Sequence, residues 1–371
     1  VRASRAFDAN DNDPSAANPF DTDSEHVYYD ALATLARNGR PLSVAVDIIG
    51  GTSAGGINGV VLAKAIALNA SQDKLRELWI AEAQITKLLR APEFLGLHGQ
   101  ALVAVAQKLL HLADSTSMLK SDVMSRLLLG ALADMDSNRS TEPPTLIPDG
   151  GSLELFVTTT DLFGYKVTVP TGAGGRSQHD RGHAQVMQFS AGAPASGADG
   201  FAGRDTYSLA FAARATSAFP AAFAPVSIEK FRGELGDDGP DEDSGDVQQS
   251  IFRYDYAENG YDAERSEFVD GGLMDNAPFD LVIDAIARKP AEREVLRRLI
   301  YIEPDPQCRL DDDAHADQDR ADKHEPGLLD IKAPLTAHPF LADLIKLRDL
   351  NARIASIGAI SDRQMAEIAD T

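Results

Sequence analysis

The sequence predicts an α/β fold: a central, mostly parallel sheet with helices on both faces. Three observations predict it. The apolar run at residues 42–49, interrupted only by Ser43 and Asp47, has the β-branched character of a strand buried on both sides. Gly50 and Gly51 break that run, and residues 54–68 then carry a helical pattern. Beyond this unit, strand and helix patterns keep alternating along the chain, with no fixed-period repeat.

Taken in order, residues 1–23 are rich in Asp, Asn and Ser, contain Pro14 and Pro19, and read as a loop or disordered segment. Ser24 is expected to cap a helix running to about Asn38, with Tyr28, Leu32 and Leu35 on one face and Gly39 and Pro41 after its end. Residues 74–135 are helical in pattern, with an amphipathic piece at Leu102, Val105, Ala106, Leu109 and Leu110. Residues 141–151 form a proline-containing loop. Residues 153–160 and 165–169 read as strands joined by a turn at Asp161-Leu162-Phe163-Gly164. Residues 171–205, rich in Gly, Ser and charge, read as a long loop. A small-residue helix at 208–217 stops near Pro220, and an acidic solvated loop occupies 233–249. Residues 251–256 and 267–269 are strand candidates, 281–288 continue a helix after Pro278, and 299–302 read as another buried strand. Residues 305–326 are acidic and irregular, and 340–357 form an amphipathic helix with Leu341, Leu344, Ile345 and Leu350 as apolar positions. The expected organisation is a polar segment over 1–23, an α/β domain over 24–305, and an acidic loop with a helical extension over 306–371.

Composition narrows the function classes. The 371 residues hold 35 Lys+Arg against 57 Asp+Glu, a net charge of −22, with 43% hydrophobic and 25% charged residues. That balance suits a globular protein and excludes a disordered or collagen-like chain. It excludes nucleic acid as the main partner, which needs a Lys/Arg surface. It also disfavours simple electrostatic attraction to an anionic membrane, although a local basic patch is compatible with it. Cys308 is the only cysteine, so no intrachain disulfide forms, which fits a reducing compartment. No apolar run approaches the roughly 20 residues of a membrane span. The best candidate, 59–68, is interrupted by Lys64. These features point to a cytoplasmic or peripheral-membrane protein. The chain starts at Val1, so an upstream signal lies outside this reading, and a fragment is expected.

The strongest chemical signal is Gly51-Thr52-Ser53-Ala54-Gly55, a G-x-S-x-G placed between strand and helix. A serine nucleophile on such a turn sits in a strained backbone with its hydroxyl exposed, and the flanking glycines let strand and helix approach closely. The helix N-terminus behind it offers backbone N–H groups and a favourable dipole to a developing oxyanion. A phosphate-binding loop is the competing reading of a glycine-rich strand–helix turn. Here the turn lacks G-x-x-x-x-G-K-[ST] and has no Lys, and Gly51, Ser53 and Gly56 fail the dinucleotide spacing. The second signal is Asp270 before Gly271 and Gly272, at the end of a short strand. Alone it reads as an ordinary Asp-Gly turn.

In combination, Gly51-Thr52-Ser53-Ala54-Gly55-Gly56, then Ala-Ala-Arg-Ala-Thr-Ser-Ala-Phe over 212–219 with Pro220, then Asp270-Gly271-Gly272 with Asn276 and Pro278, resemble the patatin-like phospholipases. The likeness spans about 24–305 and is nearest to the long bacterial patatin-related branch at 268–301. The resemblance implies lipid acyl hydrolysis by a Ser–Asp dyad without histidine or cofactor. Ser53 is then the nucleophile, Asp270 its base, and the Ala54 N–H one oxyanion donor, with Gly51 and Gly55 shaping the elbow and Gly271 and Gly272 supporting the second motif. It implies a lipid or other ester as substrate and peripheral contact with a membrane. The family's glycine-rich oxyanion loop, which follows its first strand, has no counterpart in 1–50. Either this first strand and loop lie upstream of Val1, as the polar start suggests, or the oxyanion hole is built otherwise.

Two alternatives stay open at this level. One is a Ser–His–Asp triad of the α/β-hydrolase type, in the chain order Ser53, Asp270, then His315, His324 or His338. The other is a non-catalytic lipid- or partner-binding module on a hydrolase fold. Other clusters read as unremarkable. His179 and His183, spaced i,i+4, would share a metal only on a helix, and they lie in a Gly/Ser-rich stretch. Asp311, Asp312, Asp313, Asp317 and Asp319 lack the Gly and Glu of a calcium loop. No metal site is expected. The amphipathic segments at 101–133 read as core or as a cap over the site, with binding of acyl chains or of a membrane surface as the alternative.

Overall fold

The structure, a computed structural model, describes residues 1–73, 120–140, 143–170, 177–192, 200–220, 222–236, 239, 246–254, 256, 262–275, 277–290, 295–302 and 341–369. Among the described residues four strands form one sheet: β1 (Ile48–Gly51), β2 (Leu153–Pro170), β3 (Ser177–Ala191) and β4 (Phe268–Asp270). The described helices are α1 (Arg2–Asp8), α2 (Ser24–Arg37), α3 (Ala54–Leu68), α4 (Ser121–Ser137), α5 (Asp205–Thr216), α6 (Ile228–Leu235), α7 (Phe279–Arg288) and α8 (Leu341–Ala369). The α/β class is the expected one.

The sheet is mixed. β1 runs parallel to β2, whereas β3 and β4 both run antiparallel to it. The connection 171–176 between β2 and β3 is too short for a crossover, so that pair must be a hairpin. β3 lines one edge of β2 along most of its length, so β1 and β4 share the other edge end to end. β1 advances along β2 until Gly51 faces Val157, and β4 descends along it until Asp270 faces Thr159. The two strands therefore run head-on, and both chains must leave the sheet beside Thr158. This collision of strand ends positions the site.

Side chains alternate across β2 as a two-sided strand requires. Leu153, Leu155 and Val157 join the main core with α3, α4 and α5. Phe156 points the other way, to Val186 and to Leu281 and Ala285 of α7. Helices thus cover both faces. α3 is apolar nearly all round and correspondingly buried, with Ile57, Val60, Val61, Ala63 and Ile66 inside. α4 puts Met124, Leu128, Leu129 and Leu132 into the same core, so the described end of the 101–133 region is core; its earlier part lies outside the described residues.

Several local expectations change. The polar start is not a loop throughout: Ala3 and Phe7, one turn apart on α1, pack on α2, where Phe7 meets Tyr29 edge-to-face at 5.3 Å. The cap of α2 is Asp23, whose carboxylate accepts the His26 N–H at 3.2 Å, and its buried face is Tyr29, Leu32 and Ala33, leaving Tyr28 and Leu35 exposed. β1 starts only at Ile48; Leu42 and Val44 are exposed. The two strands expected at 153–169 are one strand with an irregularity between Thr160 and Tyr165. Much of the loop expected at 171–205 is β3, whose polar first half is exposed and pairs with the outer half of β2. The described residues of 251–256 carry a single bridge, Phe252 to Met187, and 299–302 are not a strand, with Ile300 and Ile302 exposed. In α8, Leu347 and Leu350 pack against Ala277, Phe279 and Ile283, while Ile345 is exposed. The expected features at 74–119 and 305–326, with Cys308 and the aspartates at 311–319, lie outside the described residues.

Lys64, which interrupts the apolar run of α3, is fully buried. Its ammonium donates to Asp136 Oδ1 at 2.9 Å and to Thr206 Oγ1 at 2.7 Å, and Thr206 donates onward to Asp136 Oδ2 at 2.6 Å. Burial lowers its pKa, while Asp136 and Asp205 oppose that shift. Removing one partner of a buried pair leaves an uncompensated charge, at a cost of about 3–5 kcal/mol. Asp136→Ala is therefore expected to lower the urea-unfolding midpoint more than Lys64→Met. In the latter, the apolar replacement suits the core, and Asp136, at a quarter exposed, regains water. The reverse order of midpoints would contradict this account.

Candidate active site

Ser53 stands where β1 has left the sheet and α3 has not yet begun. It is the N-cap of α3, with φ 56° and ψ −128°. A non-glycine residue there costs of order 1–3 kcal/mol and persists only when its surroundings over-determine it. Three contacts do so. Its N–H donates to Thr216 Oγ1 at 2.8 Å, its carbonyl accepts the Ile57 N–H at 3.1 Å, and its hydroxyl donates to Asp270 Oδ2 at 2.7 Å. Gly51 permits the turn sterically, since a Cβ there would lie 2.4 Å from the Gly55 carbonyl oxygen. Gly55 itself faces open space, so its expected role in close packing falls instead to Gly56, which abuts Thr216.

Asp270 ends β4 and is buried. Its Oδ1 accepts the Gly272 N–H at 2.8 Å, and its own N–H donates to the Ala218 carbonyl at 3.0 Å. One carboxylate oxygen is thus tied to its own turn and the other faces Ser53. Gly271 allows that turn against β2: a Cβ would lie 2.4 Å from the Thr158 carbonyl oxygen. Thr52 and Thr158 join hydroxyls at 2.6 Å and both reach the Asp275 carbonyl, at 3.0 and 3.2 Å. They fasten the end of β1, the middle of β2 and the turn after Asp270 into one knot.

Ala54 opens α3 and is exposed with Gly55, while Ser53 is half-buried. The first N–H groups of a helix have no partner within it and carry its positive dipole end, so this turn can receive an oxyanion formed on a carbonyl held at Ser53. Two surface hollows among the described residues, of about 240 and 730 Å³, are lined by neither Ser53 nor Asp270.

His179 and His183 lie on β3 and not on a helix. Four residues of extended chain span about 13 Å, too far for one ion. Their Nδ1 atoms instead meet Thr168 Oγ1 at 3.1 Å and the Asp161 carbonyl at 2.7 Å. His315, His324 and His338 lie outside the described residues. Sequence reasoning singled out neither Thr216 nor the Thr52–Thr158 pair. The only trace of Thr216 was its place in the small-residue run at 212–219.

Comparison with known proteins adds two findings. The family described as patatin-like phospholipase matches residues 28–283, more than half of the chain. A Mycobacterium tuberculosis protein described as an uncharacterized membrane protein is 29% identical over 317 residues, covering 82% of this chain and 25% of that protein. The chain thus spans about a quarter of the length of that relative. Among the described residues no helix is long and apolar enough to cross a membrane.

Proposed function

The chain belongs to the patatin-like phospholipase family, and from that membership together with the Ser53–Asp270 contact we propose that it is a lipid acyl hydrolase working through a Ser–Asp dyad. The observation that carries the dyad is the 2.7 Å hydrogen bond between Ser53 Oγ and Asp270 Oδ2, across 217 positions of sequence. It lies within the range expected of a nucleophile and its base. A direct contact leaves no room for an imidazole between them, which favours the dyad over a triad through His315, His324 or His338.

The contact supports a two-step reaction. Asp270 Oδ2 takes the Ser53 hydroxyl proton as Oγ attacks the ester carbonyl carbon. The tetrahedral oxyanion is stabilised by the Ala54 N–H and the N-terminal dipole of α3. Its collapse breaks the bond to the alcohol, which leaves with the proton held on Asp270. Water then attacks the acyl-enzyme carbonyl while giving a proton to Asp270; collapse of this second tetrahedral oxyanion breaks the bond to Ser53 Oγ, which takes that proton back from Asp270, and the carboxylic acid is released. The Gly272 N–H on Oδ1 keeps Oδ2 aimed at Ser53 throughout. A lipid ester is presented at a membrane surface, so peripheral membrane contact belongs to the proposal. The relative's description as a membrane protein is compatible with it.

The test is covalent. A fluorophosphonate probe is expected to add its phosphonyl group to Ser53 alone in the full-length protein, read by mass spectrometry of the peptide carrying residues 41–64 or a part of it. Labelling at another serine, or none under conditions that label a control hydrolase, contradicts Ser53 as nucleophile.

A further inference from the structure

The C-terminal end of α5 touches both members of the pair. Thr216 Oγ1 accepts the Ser53 N–H at 2.8 Å, and two residues later the Ala218 carbonyl accepts the Asp270 N–H at 3.0 Å. Between them, the Ser217 hydroxyl donates to the Arg214 carbonyl at 3.1 Å and closes the last turn of the helix. The segment is firmly seated. Arg214 is fully buried, donates to both carboxylate oxygens of Glu234 at 3.3 Å and reaches the Ala224 carbonyl at 3.2 Å.

Thr216 is fully buried as well. Its methyl packs on the first turn of α3, where a Cβ at Gly56 would stand 2.6 Å from Cγ2. A β-branched side chain in a helix has few χ1 choices, and this contact reduces them further, so the direction of Oγ1 is set by packing. Ser53 needs such a fixed acceptor. Its backbone conformation is strained, and its N–H is a group that the adjoining helix cannot satisfy.

We propose that Thr216 is a positioning residue for the elbow. Its hydroxyl oxygen, aimed by the contact of its methyl with Gly56, holds the Ser53 N–H and thereby keeps Oγ directed at Asp270 and at the incoming ester. This rests on the reading of Ser53 as nucleophile. Thr216 and Ala218 act as one bracket: the distance between nucleophile and base is set by a single rigid segment that belongs to neither β1 nor β4.

The experiment measures the rate of fluorophosphonate addition to Ser53, with kcat and KM for a short-chain ester, in full-length protein carrying Thr216→Val, Thr216→Ser or Thr216→Ala. Thr216→Val keeps the methyl contact and loses the acceptor. It is expected to slow labelling and kcat by about 10- to 100-fold, the scale of a small misplacement at a reacting centre, with KM little changed. Thr216→Ser keeps the oxygen and is expected to stay within a few-fold of the unsubstituted protein. If Thr216→Val fails to fold, the Ser and Ala variants decide in the same way, because both lack the methyl and only one has the oxygen. Equal labelling rates across the hydroxyl-bearing and hydroxyl-lacking variants overturn the proposal, including the case where only the unfolding midpoint moves. Absence of an adduct on Ser53 in the unsubstituted protein overturns the nucleophile reading and this proposal together; an adduct at an unchanged rate in Thr216→Val overturns this proposal alone.

Discussion

Asp270→Asn is expected to reduce ester hydrolysis by about a thousand- to ten-thousand-fold while leaving the fold intact. The amide is nearly the size of the carboxylate, and its carbonyl oxygen can still accept the Gly272 N–H that Asp270 Oδ1 now accepts. Asn also tolerates the turn backbone that Asp adopts before Gly271. The other half of the group changes. Where Asp270 Oδ2 accepts the Ser53 hydroxyl, the amide presents an NH₂ that donates, so the proton has nowhere to go. General-base catalysis contributes about 10²- to 10⁴-fold, and in the proposed mechanism the same group also returns the proton to the leaving alcohol and activates the water. The measurement is kcat/KM for a short-chain ester beside the urea midpoint of the same preparation. Activity that survives within tenfold, at an unchanged midpoint, removes Asp270 from the mechanism.

Ser53→Ala is expected to fall at least as far, about ten-thousand-fold, and to abolish fluorophosphonate labelling. The informative result is the double variant. Serine and aspartate acting as one unit are not additive, so Ser53→Ala with Asp270→Asn is expected to be no more than a few-fold worse than Ser53→Ala alone. Losses that multiply would mean two independent contributions. That outcome fits a binding module with an adventitious hydrolysis site better than a dyad. Ser53 and Asp270 share a hydrogen bond, so coupling in stability is also expected, and midpoints must be measured on all three variants.

The candidate site was legible to an unusual degree, and for a local reason. A nucleophile on a strand-to-helix turn demands small residues at fixed offsets, and Gly51 through Gly56 meet that demand within six positions. The extent of α3 was equally legible, because an apolar pattern interrupted only by Asn58 and Lys64 follows directly on the elbow. α1 was missed because only Ala3 and Phe7 signal it, and their partner Tyr29 comes after a loop. β3 was missed because its outer half is polar on both faces: pairing with β2 makes it a strand, not any pattern of its own. The run at 299–302 misled in the opposite direction, since β-branched residues favour a strand only when a neighbouring strand is there to pair with them.

The sequence by itself determined the chemistry on offer: a serine in an elbow, an aspartate before two glycines, and the apolar helix that follows the serine. Short-range sterics govern each of these, and short-range sterics are written in consecutive residues. Only the tertiary structure decided that the serine and the aspartate meet. Nothing within either motif encodes a hydrogen bond across 217 positions. It arises because β1 and β4 take the same edge of β2 from opposite directions and stop on either side of Thr158. The same structure placed Thr216 and Ala218 across the gap, one on the N–H of Ser53 and one on that of Asp270. Strand order and packing of α5 are cooperative properties of the whole core, settled by which apolar faces cover one another.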